Sequence, residues 1–155
     1  MLEPLELSVV MPVHNEGLNI EKTLQALKTN VPVPHEVVIV YDREEDETLP
    51  AVRPLLPSYD RLRLVRNTVA PGPSGALRTG FQHARGARVL VAMADLSDDF
   101  TQIGHLLSLV PREADIASPS RYCKGGIQTA QAVAQSLGSE VCRSPYEVAD
   151  GHSDV

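Results

Sequence analysis

The sequence contains few cysteines and no long hydrophobic run. Its two cysteines, Cys123 and Cys142, lack the spacing of metal-binding pairs, and nothing indicates secretion. We therefore expect free thiols in a reducing compartment. No apolar stretch approaches the length needed to cross a bilayer, and the acidic N-terminus does not resemble a signal peptide. These absences together predict a cytoplasmic protein.

An excess of basic residues is also missing. The chain carries 20 acidic residues against 14 Lys and Arg, and its formal net charge is −6. A protein whose main partner is nucleic acid needs clustered Lys and Arg for phosphate contacts, so the composition argues against that class. A single nucleotide is still compatible with this charge, because a diphosphate needs only a metal ion or a few local donors.

Several catalytic patterns are absent as well. There is no Ser-His-Asp or Cys-His arrangement, and the Gly72–Gly75 segment lacks a Walker pattern, so we interpret it as a helix start. The histidines share no spacing, and we assign none of them to a metal; they are His14, His35, His83, His105 and His152.

Apolar runs alternate with segments of helical periodicity along the 155 residues, a length typical of one domain. Strands that alternate with helices pair in parallel, so we predict an α/β fold with a mostly parallel sheet flanked by helices. The predicted strands are Leu7–Val13, Glu36–Tyr41, Arg61–Arg66, Arg88–Met93 and Ala114–Ser118. Four helices are predicted, and the second is a short segment after Asp46. The apolar residues expected on one face of the other three are Ile20, Leu24 and Leu27; Leu77, Phe81 and Ala84; and Ile103, Leu106, Leu107 and Val110.

Polar residues are predicted to cap these helices. Asn15 is suited to cap the first helix and Asp46 the second, and either Asp98 or Asp99 the fourth. We expect the acidic run Glu44–Glu47 to be solvated.

Unusual polar residues cluster where the predicted strands end. In open parallel sheets, ligands bind beyond the carboxyl ends of the strands. This edge is predicted to collect His14–Glu16, Asp42, Met93–Asp95 and Arg121, which indicates a binding crevice.

The C-terminal part of the chain differs from the rest. Gln128–Leu137 is predicted to form one weakly amphipathic helix, and the polar stretch from Gly138 onward has no periodic signal. We therefore divide the chain into a domain over residues 1–126 and an atypical or truncated segment over 127–155 that is partly disordered.

Five segments, in order, resemble motifs of family 2 glycosyltransferases. The last of them indicates the branch that transfers sugars to polyprenyl phosphates, represented by dolichol-phosphate mannose synthases. The segments are Leu7–Glu16 (Pro-x-x-Asn-Glu), Val37–Thr48 (Asp-Asp-x-Ser-x-Asp-x-Thr), Gly72–Gly86 (Gly-x-x-x-Ala-x-x-x-Gly-Phe), Val89–Asp99 (Asp-x-Asp) and Asp115–Gly126 (Asp-Ile-x-x-x-Ser-Arg-Tyr-x-Lys-Gly-Gly).

The resemblance implies a Rossmann-like, nucleotide-sugar-binding fold of the GT-A type and a set of site residues. Asp95 would hold Mg²⁺ or Mn²⁺ and act in catalysis together with Arg121. Substrate contacts are implied for Pro12, Glu16, Asp42, Asp95, Ser120, Arg121 and Lys124.

Most of these residues also have an ordinary structural interpretation. Glu16 is a carboxylate at a helix N-terminus, where negative charge is favourable. Asp42 is equally suited to a turn, and Arg121 and Lys124 to the surface. Asp98, Asp99 and Ser97 are further candidate oxygen ligands beside Asp95.

The sequence departs from the family pattern in three places. Tyr41 replaces the first of two adjacent Asp residues after the second strand. Met93 replaces the first Asp of the Asp-x-Asp motif, and its thioether is a poor ligand for hard cations, so the metal site is weakened. No segment after Gly126 resembles the family's acceptor-binding helices.

The resemblance implies a metal-dependent hexosyltransferase. It would move a hexose, plausibly mannose, from GDP-mannose or a UDP-sugar to a polyprenyl phosphate with inversion, making peripheral contact with the cytoplasmic face of a membrane. The departures favour an alternative, a nucleotide-sugar-binding domain that is truncated or impaired and lacks turnover. A nucleotidyltransferase is a third hypothesis, but His14–Glu16 does not supply the Gly-rich, basic loop that such an enzyme needs.

Overall fold

The computed structural model describes residues 4–110, 116–119 and 146–148. It divides into two compact units, residues 1–101 and residues 102–155. The predicted helix Gln128–Leu137 lies outside the described residues, as does most of the polar stretch that follows it.

The first unit is built on a four-stranded parallel sheet in the order β3-β2-β1-β4. Every connection between its strands contains a helix, as the alternating pattern predicted. The strands are β1 (Leu7–Pro12), β2 (His35–Tyr41), β3 (Leu62–Arg66) and β4 (Arg88–Val91), and the helices are α1 (Ile20–Asn30), α2 (Thr48–Val52) and α3 (Pro73–His83).

The central strands β1 and β2 are buried on both faces, which explains their unbroken apolar runs. Val10 and Val38 pack with Ala76 of α3 in one core cluster. Successive side chains of a strand point to opposite faces, so Val9 and Ile39 face away from α3, and both are fully buried as well. The predicted α/β fold with a parallel, helix-flanked sheet is confirmed.

The first two helices follow their sequence signals. Ile20, Leu24 and Leu27 form the buried stripe of α1, which ends before the prolines at 32 and 34. Helix α2 is short because it turns into a 3₁₀-helix, Arg53–Leu55, that contains Pro54. A proline lacks the N–H that an α-helix would need at that position.

The packing face of α3 differs from the prediction. Phe81 is 49% exposed and Leu77 is only partly buried, while Ala84 lies beyond the last residue of the helix. The buried positions carry small residues instead: Gly75, Ala76, Thr79 and Gly80. A Cβ atom at Gly80 would lie 2.2 Å from Val10 Cγ1. The helix therefore approaches the sheet through its small residues. Of the predicted face, Leu77 packs against the core cluster, whereas the prediction was wrong for Phe81.

A buried polar network fixes the amino-terminal edge of this sheet. Glu36 is 1% exposed; Ser8 Oγ donates to its Oε1 at 2.8 Å, and Arg63 donates to its Oε2 at 2.9 Å. The backbone N–H groups of Arg85 and Gly86 donate to Ser8 Oγ. This network joins three strands to the turn that leads into β4.

The second unit contains α4 (Ile103–Leu109) and a two-stranded antiparallel sheet of β5 (Ala117–Pro119) and β6 (Tyr146–Val148). Strand β5 overlaps the predicted strand 114–118, of which residues 114 and 115 lie outside the described part. Strand β6 was not predicted. In the part of the chain that the structure describes, no helix has the length and apolar character of a membrane span.

Candidate functional site

Four of the predicted site residues lie at the carboxyl edge of the parallel sheet, one at the end of a strand and three in loops. Pro12 is the last residue of β1, and Glu16 follows it in the loop before α1. Asp42 comes directly after β2, and Asp95 lies shortly after β4. All four residues belong to the first unit. Because β2, β1 and β4 are neighbours in the sheet, these loops share one edge.

The β1–α1 loop is organised differently from the prediction. Asn15 does not cap α1, since residue 19 precedes that helix and no side chain caps it. Asn15 instead has a left-handed backbone (φ 59°), and its N–H donates to Asp46 Oδ1 at 3.1 Å. A tight turn at this point requires that conformation, which asparagine tolerates better than most residues.

Glu16 lies at the start of α1, as the interpretation of a carboxylate at a helix N-terminus predicted. Its carbonyl accepts hydrogen bonds from the N–H groups of Asn19 and Ile20, where α1 begins. Its carboxylate accepts a bond from Asn19 Nδ2 at 3.3 Å and remains partly exposed at the sheet edge. The side chain is therefore positioned near the helix start and is accessible to a ligand.

Asp46 lies at the start of α2 but is not its N-cap, because Glu47 is the residue that precedes the helix. From one position further back, Asp46 Oδ1 accepts a hydrogen bond from Thr48 N at 2.8 Å. The prediction that the whole run Glu44–Glu47 is solvated was wrong at this residue, since Asp46 is 6% exposed. Its carboxylate also accepts the bond from Asn15, so it is held between two loops.

Asp42 ties three elements together at the edge. Its Oδ1 accepts a hydrogen bond from Asn67 Nδ2 at 2.6 Å, and its Oδ2 accepts one from Gly72 N at 2.8 Å. Burial raises the pKa of Asp42, but these two hydrogen bonds outweigh it, so the net pKa lies below the ordinary value. The carboxylate stays ionised at neutral pH and orders the start of α3. Each oxygen still has a second lone pair for a ligand donor.

Asn67 is a site residue that the sequence reasoning missed. Besides Asp42, it contacts Thr79, whose hydroxyl donates to Asn67 Oδ1 at 2.8 Å. Asn67 follows the last residue of β3, so its position at a strand's carboxyl end was the signal that could have identified it.

The loop after β4 presents Asp95 on the surface. Asp95 Oδ1 accepts a hydrogen bond from Ser97 N at 3.0 Å, and Leu96 between them has a left-handed backbone (φ 62°). The hydrogen bonds from Ser97 lower the pKa of Asp95 despite partial burial. The buried Thr23 hydroxyl donates to Ala94 O at 2.9 Å, so α1 anchors this loop.

Of the two candidate caps, Asp99 bonds to the start of the helical segment and Asp98 does not. Asp99 Oδ1 accepts hydrogen bonds from the backbone and the hydroxyl of Thr101, in the 3₁₀-helix Phe100–Gln102 that leads into α4. Asp98 is not a cap, because its Oδ2 reaches back to Met93 N at 2.7 Å. Loss of hydration raises the pKa of Asp98, and the neighbouring charge of Asp95 adds to this effect.

The residues at this edge fit a divalent cation only in part. Asp95 offers an exposed, ionised carboxylate, whereas Met93 offers a thioether that hard cations bind poorly. Among the described residues, no three His, Cys, Asp or Glu side chains form a metal-binding group. A cation here would have to take most of its ligands from phosphates and water.

Tyr41, the other departure from the family pattern, is engaged within its own loop. Its hydroxyl donates to Glu44 Oε1 at 2.9 Å, and Arg53 donates to Glu44 Oε2 at 3.1 Å. Burial and the contact with Glu44 raise the pKa of Tyr41, so the phenol stays protonated. A hydrogen-bond donor thus occupies the position where the motif has a carboxylate.

The remaining predicted site residues cannot be related to this edge. Ser120, Arg121 and Lys124 lie outside the described residues. Their assignment to phosphate binding therefore stays a prediction.

Comparison with known proteins relates this site to one family. The model of the family described as glycosyl transferase family 2 matches residues 8–146. A dolichol-phosphate mannosyltransferase of Pyrococcus furiosus is 32% identical over 123 residues, which cover 79% of this chain and 35% of the relative. A dolichyl-phosphate beta-glucosyltransferase of Saccharomyces cerevisiae is 29% identical over 71% of this chain and 36% of its own length.

Solved structures share the fold. The mannosyltransferase PcManGT from Pyrobaculum calidifontis, in complex with GDP-Man and Mn²⁺, is 28% identical with a TM-score of 0.64, over 77% of this chain and 36% of that one. Glucosyl-3-phosphoglycerate synthase from Mycobacterium tuberculosis, at 21% identity and a TM-score of 0.61 over 78% of this chain and 45% of that one, supports the GT-A type fold alone.

The chain spans about a third of the length of the two dolichol-phosphate transferases. The family match extends past Gly126, the last residue of the resembling motifs, to residue 146. Since that match covers most of the sequence, the chain belongs to the family 2 glycosyltransferases.

Proposed function

We propose that this chain is the nucleotide-sugar-binding part of a hexosyltransferase that moves a hexose such as mannose from a nucleoside-diphosphate sugar to a polyprenyl phosphate. The observation that carries the proposal is the set of carboxylates Glu16, Asp42 and Asp95 in loops that follow three neighbouring strands. The relatives named for dolichol-phosphate transfer support the choice of acceptor.

We assign Glu16 and Asp42 to the nucleoside, because carboxylates accept hydrogen bonds from the hydroxyls of a ribose or the N–H groups of a base. Pro12 would line the same crevice at the end of β1. Asp42 is well prepared for this role, since Asn67 and Gly72 hold its carboxylate in one orientation.

Asp95 would supply one carboxylate ligand to Mg²⁺ or Mn²⁺. When bound, such a cation neutralises the charge that grows on the departing nucleoside diphosphate. The neighbour PcManGT was solved with GDP-Man and Mn²⁺, which supports this choice of ligands. We assign Ser120, Arg121 and Lys124 to the phosphates, since Arg and Lys are suited to phosphate contacts.

The acceptor needs little activation. A phosphate monoester has a second pKa of about 6, so it is largely dianionic at neutral pH and can attack without a strong general base. Attack on the anomeric carbon from the side opposite the nucleotide would invert its configuration. The acceptor lipid would bring the protein to the cytoplasmic face of a membrane.

A transfer assay tests this proposal. Radiolabelled GDP-mannose and UDP-glucose are each incubated with the chain, Mn²⁺ and polyprenyl phosphate in detergent. We expect label in the lipid fraction from one of the two donors, and the loss of that signal in Asp95→Asn. The anomeric configuration of the product, read by NMR, tests inversion.

Met93 favours a second candidate, a domain that binds nucleotide sugars without turning them over. The missing carboxylate removes one hard ligand from the cation. Nucleotide binding without any labelled lipid would support this candidate over the transferase.

A further inference from the structure

We propose that Asp46 and Thr48 are positioning residues that hold Glu16 in place for the nucleoside. This inference rests on the proposed function, because it assumes that the Glu16 carboxylate contacts a nucleotide ligand. It assigns a role in binding to two buried side chains that do not reach the ligand themselves.

The β1–α1 loop and the β2–α2 loop are in direct backbone contact. A Cβ atom added at Gly17 would lie 2.7 Å from Glu47 O, closer than two such atoms can approach. Asn15 turns the chain through a left-handed conformation (φ 59°) just before this contact. The two loops therefore meet where Glu16 lies.

Hydrogen bonds from Asp46 and Thr48 close this contact. Asp46 Oδ1 accepts the N–H of Asn15 at 3.1 Å, and Thr48 Oγ1 accepts the N–H of Glu16 at 2.9 Å. Asp46 Oδ1 also accepts the N–H of Thr48 at 2.8 Å. Two consecutive backbone groups, at residues 15 and 16, are thus attached to side chains from the other loop.

Neither side chain can serve as a ligand contact. Asp46 is 6% exposed and Thr48 is fully buried, whereas Glu16 is partly exposed at the sheet edge. Their effect on a bound nucleotide must therefore act through the backbone of Asn15 and Glu16, whose N–H groups they accept. The Glu16 carbonyl is fixed as well, because it accepts hydrogen bonds from Asn19 and Ile20 at the start of α1.

The affinity for a nucleotide depends on the fraction of molecules whose loop holds the Glu16 carboxylate in the binding arrangement. Without the Thr48 hydroxyl, the Glu16 N–H loses its acceptor, and the loop samples arrangements in which the carboxylate points elsewhere. If only about one tenth of the molecules keep the competent arrangement, the apparent Kd weakens about tenfold. Serine at position 48 retains the hydroxyl and should retain the affinity.

The test uses Thr48→Val, which removes the hydroxyl with little change in volume, and Thr48→Ser as the conservative rescue. Ser8→Ala is the matched control, since it removes a buried hydroxyl at the opposite end of β1. Kd values for GDP and UDP with Mn²⁺ are measured by calorimetry at a temperature where every variant is folded. Hydrogen exchange of the Glu16 amide is measured in the free proteins.

We expect Thr48→Val to speed exchange of the Glu16 amide and to weaken nucleotide binding by about tenfold, with both effects reversed in Thr48→Ser. Ser8→Ala should lower stability and leave the Kd unchanged. If Thr48→Val does not fold, Gly17→Ala serves instead, because its Cβ forces the loops apart while every hydrogen-bonding group is kept.

Faster amide exchange with an unchanged Kd would overturn the positioning role and leave Thr48 as a purely structural residue. An equal loss of affinity in Ser8→Ala would overturn it too. Failure of the unaltered chain to bind any nucleotide would instead contradict the proposed function, and this inference with it.

Discussion

Glu36 is the most deeply buried charged side chain among the described residues. The carboxylate is almost completely buried on β2 and is satisfied by Ser8, Arg63 and the N–H of Arg85. Burial alone raises the pKa of Glu36, but the surrounding donors outweigh it and the net pKa is lowered. The ionised form is thus part of the native structure.

We predict that Glu36→Ala lowers the free energy of unfolding by about 3 kcal/mol, because it removes the acceptor of the Ser8 hydroxyl, one acceptor of the Arg85 N–H and the charge partner of Arg63. Urea unfolding measures this loss. Glu45→Ala, which removes an exposed glutamate, is the control and should change stability by less than about 0.5 kcal/mol. A loss no larger in Glu36→Ala than in the control would contradict the structural role of the network.

The same residue predicts a dependence on pH. The pKa of Glu36 is lower in the folded than in the unfolded state. The stability that its carboxylate contributes is therefore fully present above the Glu36 pKa of the unfolded state, and it is lost as pH falls through the Glu36 pKa of the folded state. The stability difference between the wild type and Glu36→Gln should therefore shrink on acidification below about pH 4. A difference that grows on acidification would contradict this sign.

Met93 is the residue that most directly limits the candidate cation site. It is 44% exposed, so an aspartate can replace it without being buried. Mn²⁺ should strengthen nucleotide binding more in Met93→Asp than in the wild type, because the variant adds a hard anionic ligand beside Asp95. We predict that the ratio of the affinities with and without Mn²⁺ rises roughly tenfold. Calorimetry with and without Mn²⁺ measures the ratio, and Met93→Asn, which adds no charge, is the control. An unchanged ratio would argue against a cation at this loop.

Among the elements, helix α3 shows how small residues determine packing. Gly80 faces β1 and β2, and an added Cβ would lie 2.2 Å from Val10 Cγ1 and 3.3 Å from Val40 Cγ2. Alanine would favour the helix by about 1 kcal/mol on propensity alone. The overlap with two fully buried valines works in the opposite direction.

We predict that Gly80→Ala lowers stability by about 1–3 kcal/mol, since the cost of overpacking exceeds the gain in propensity. Thermal unfolding measures the change. Gln82→Ala, on the exposed side of the same helix, is the control and should change stability very little. A higher melting temperature for Gly80→Ala would mean that α3 can move away from the sheet at low cost.

The elements also show what the sequence could and could not predict. The buried strands β1 and β2 and the stripe of α1 were predictable, because their large apolar residues are the ones that pack. The face of α3 was less predictable, because it approaches the sheet through the small residues Ala76 and Gly80, which leave no period of large apolar residues to detect. Strand β6 is only three residues long and lies in a polar segment, so it offered no pattern either.

At the site, the sequence predicted the residue types but not their contacts. Glu16, Asp42 and Asp95 were identified by their positions after predicted strands. The connection of Asn15 to Asp46, and of Asp42 to Asn67, joins residues far apart in sequence through loop geometry. No local pattern encodes such pairs, so caps and ligands could not be distinguished in advance.

The whole molecule is a family 2 glycosyltransferase chain in which the parallel sheet and its carboxyl-edge loops are well formed. It corresponds to about a third of the length of the dolichol-phosphate mannosyltransferase that it resembles. Nucleotide-sugar binding is the step of the proposed function that we assign to the carboxyl-edge loops described above.

Calorimetric titration of the chain with GDP, UDP, GDP-mannose and UDP-glucose, each in Mn²⁺ and in EDTA, tests that claim most directly. Asp95→Asn keeps the hydrogen-bonding shape of the side chain but removes its charge, and Asp60→Asn, an exposed aspartate before β3, is the matched control. We predict binding of one base that needs Mn²⁺, is lost in Asp95→Asn and is retained in Asp60→Asn. Absence of binding for all four ligands in both conditions would contradict the assignment of this edge to a nucleotide sugar.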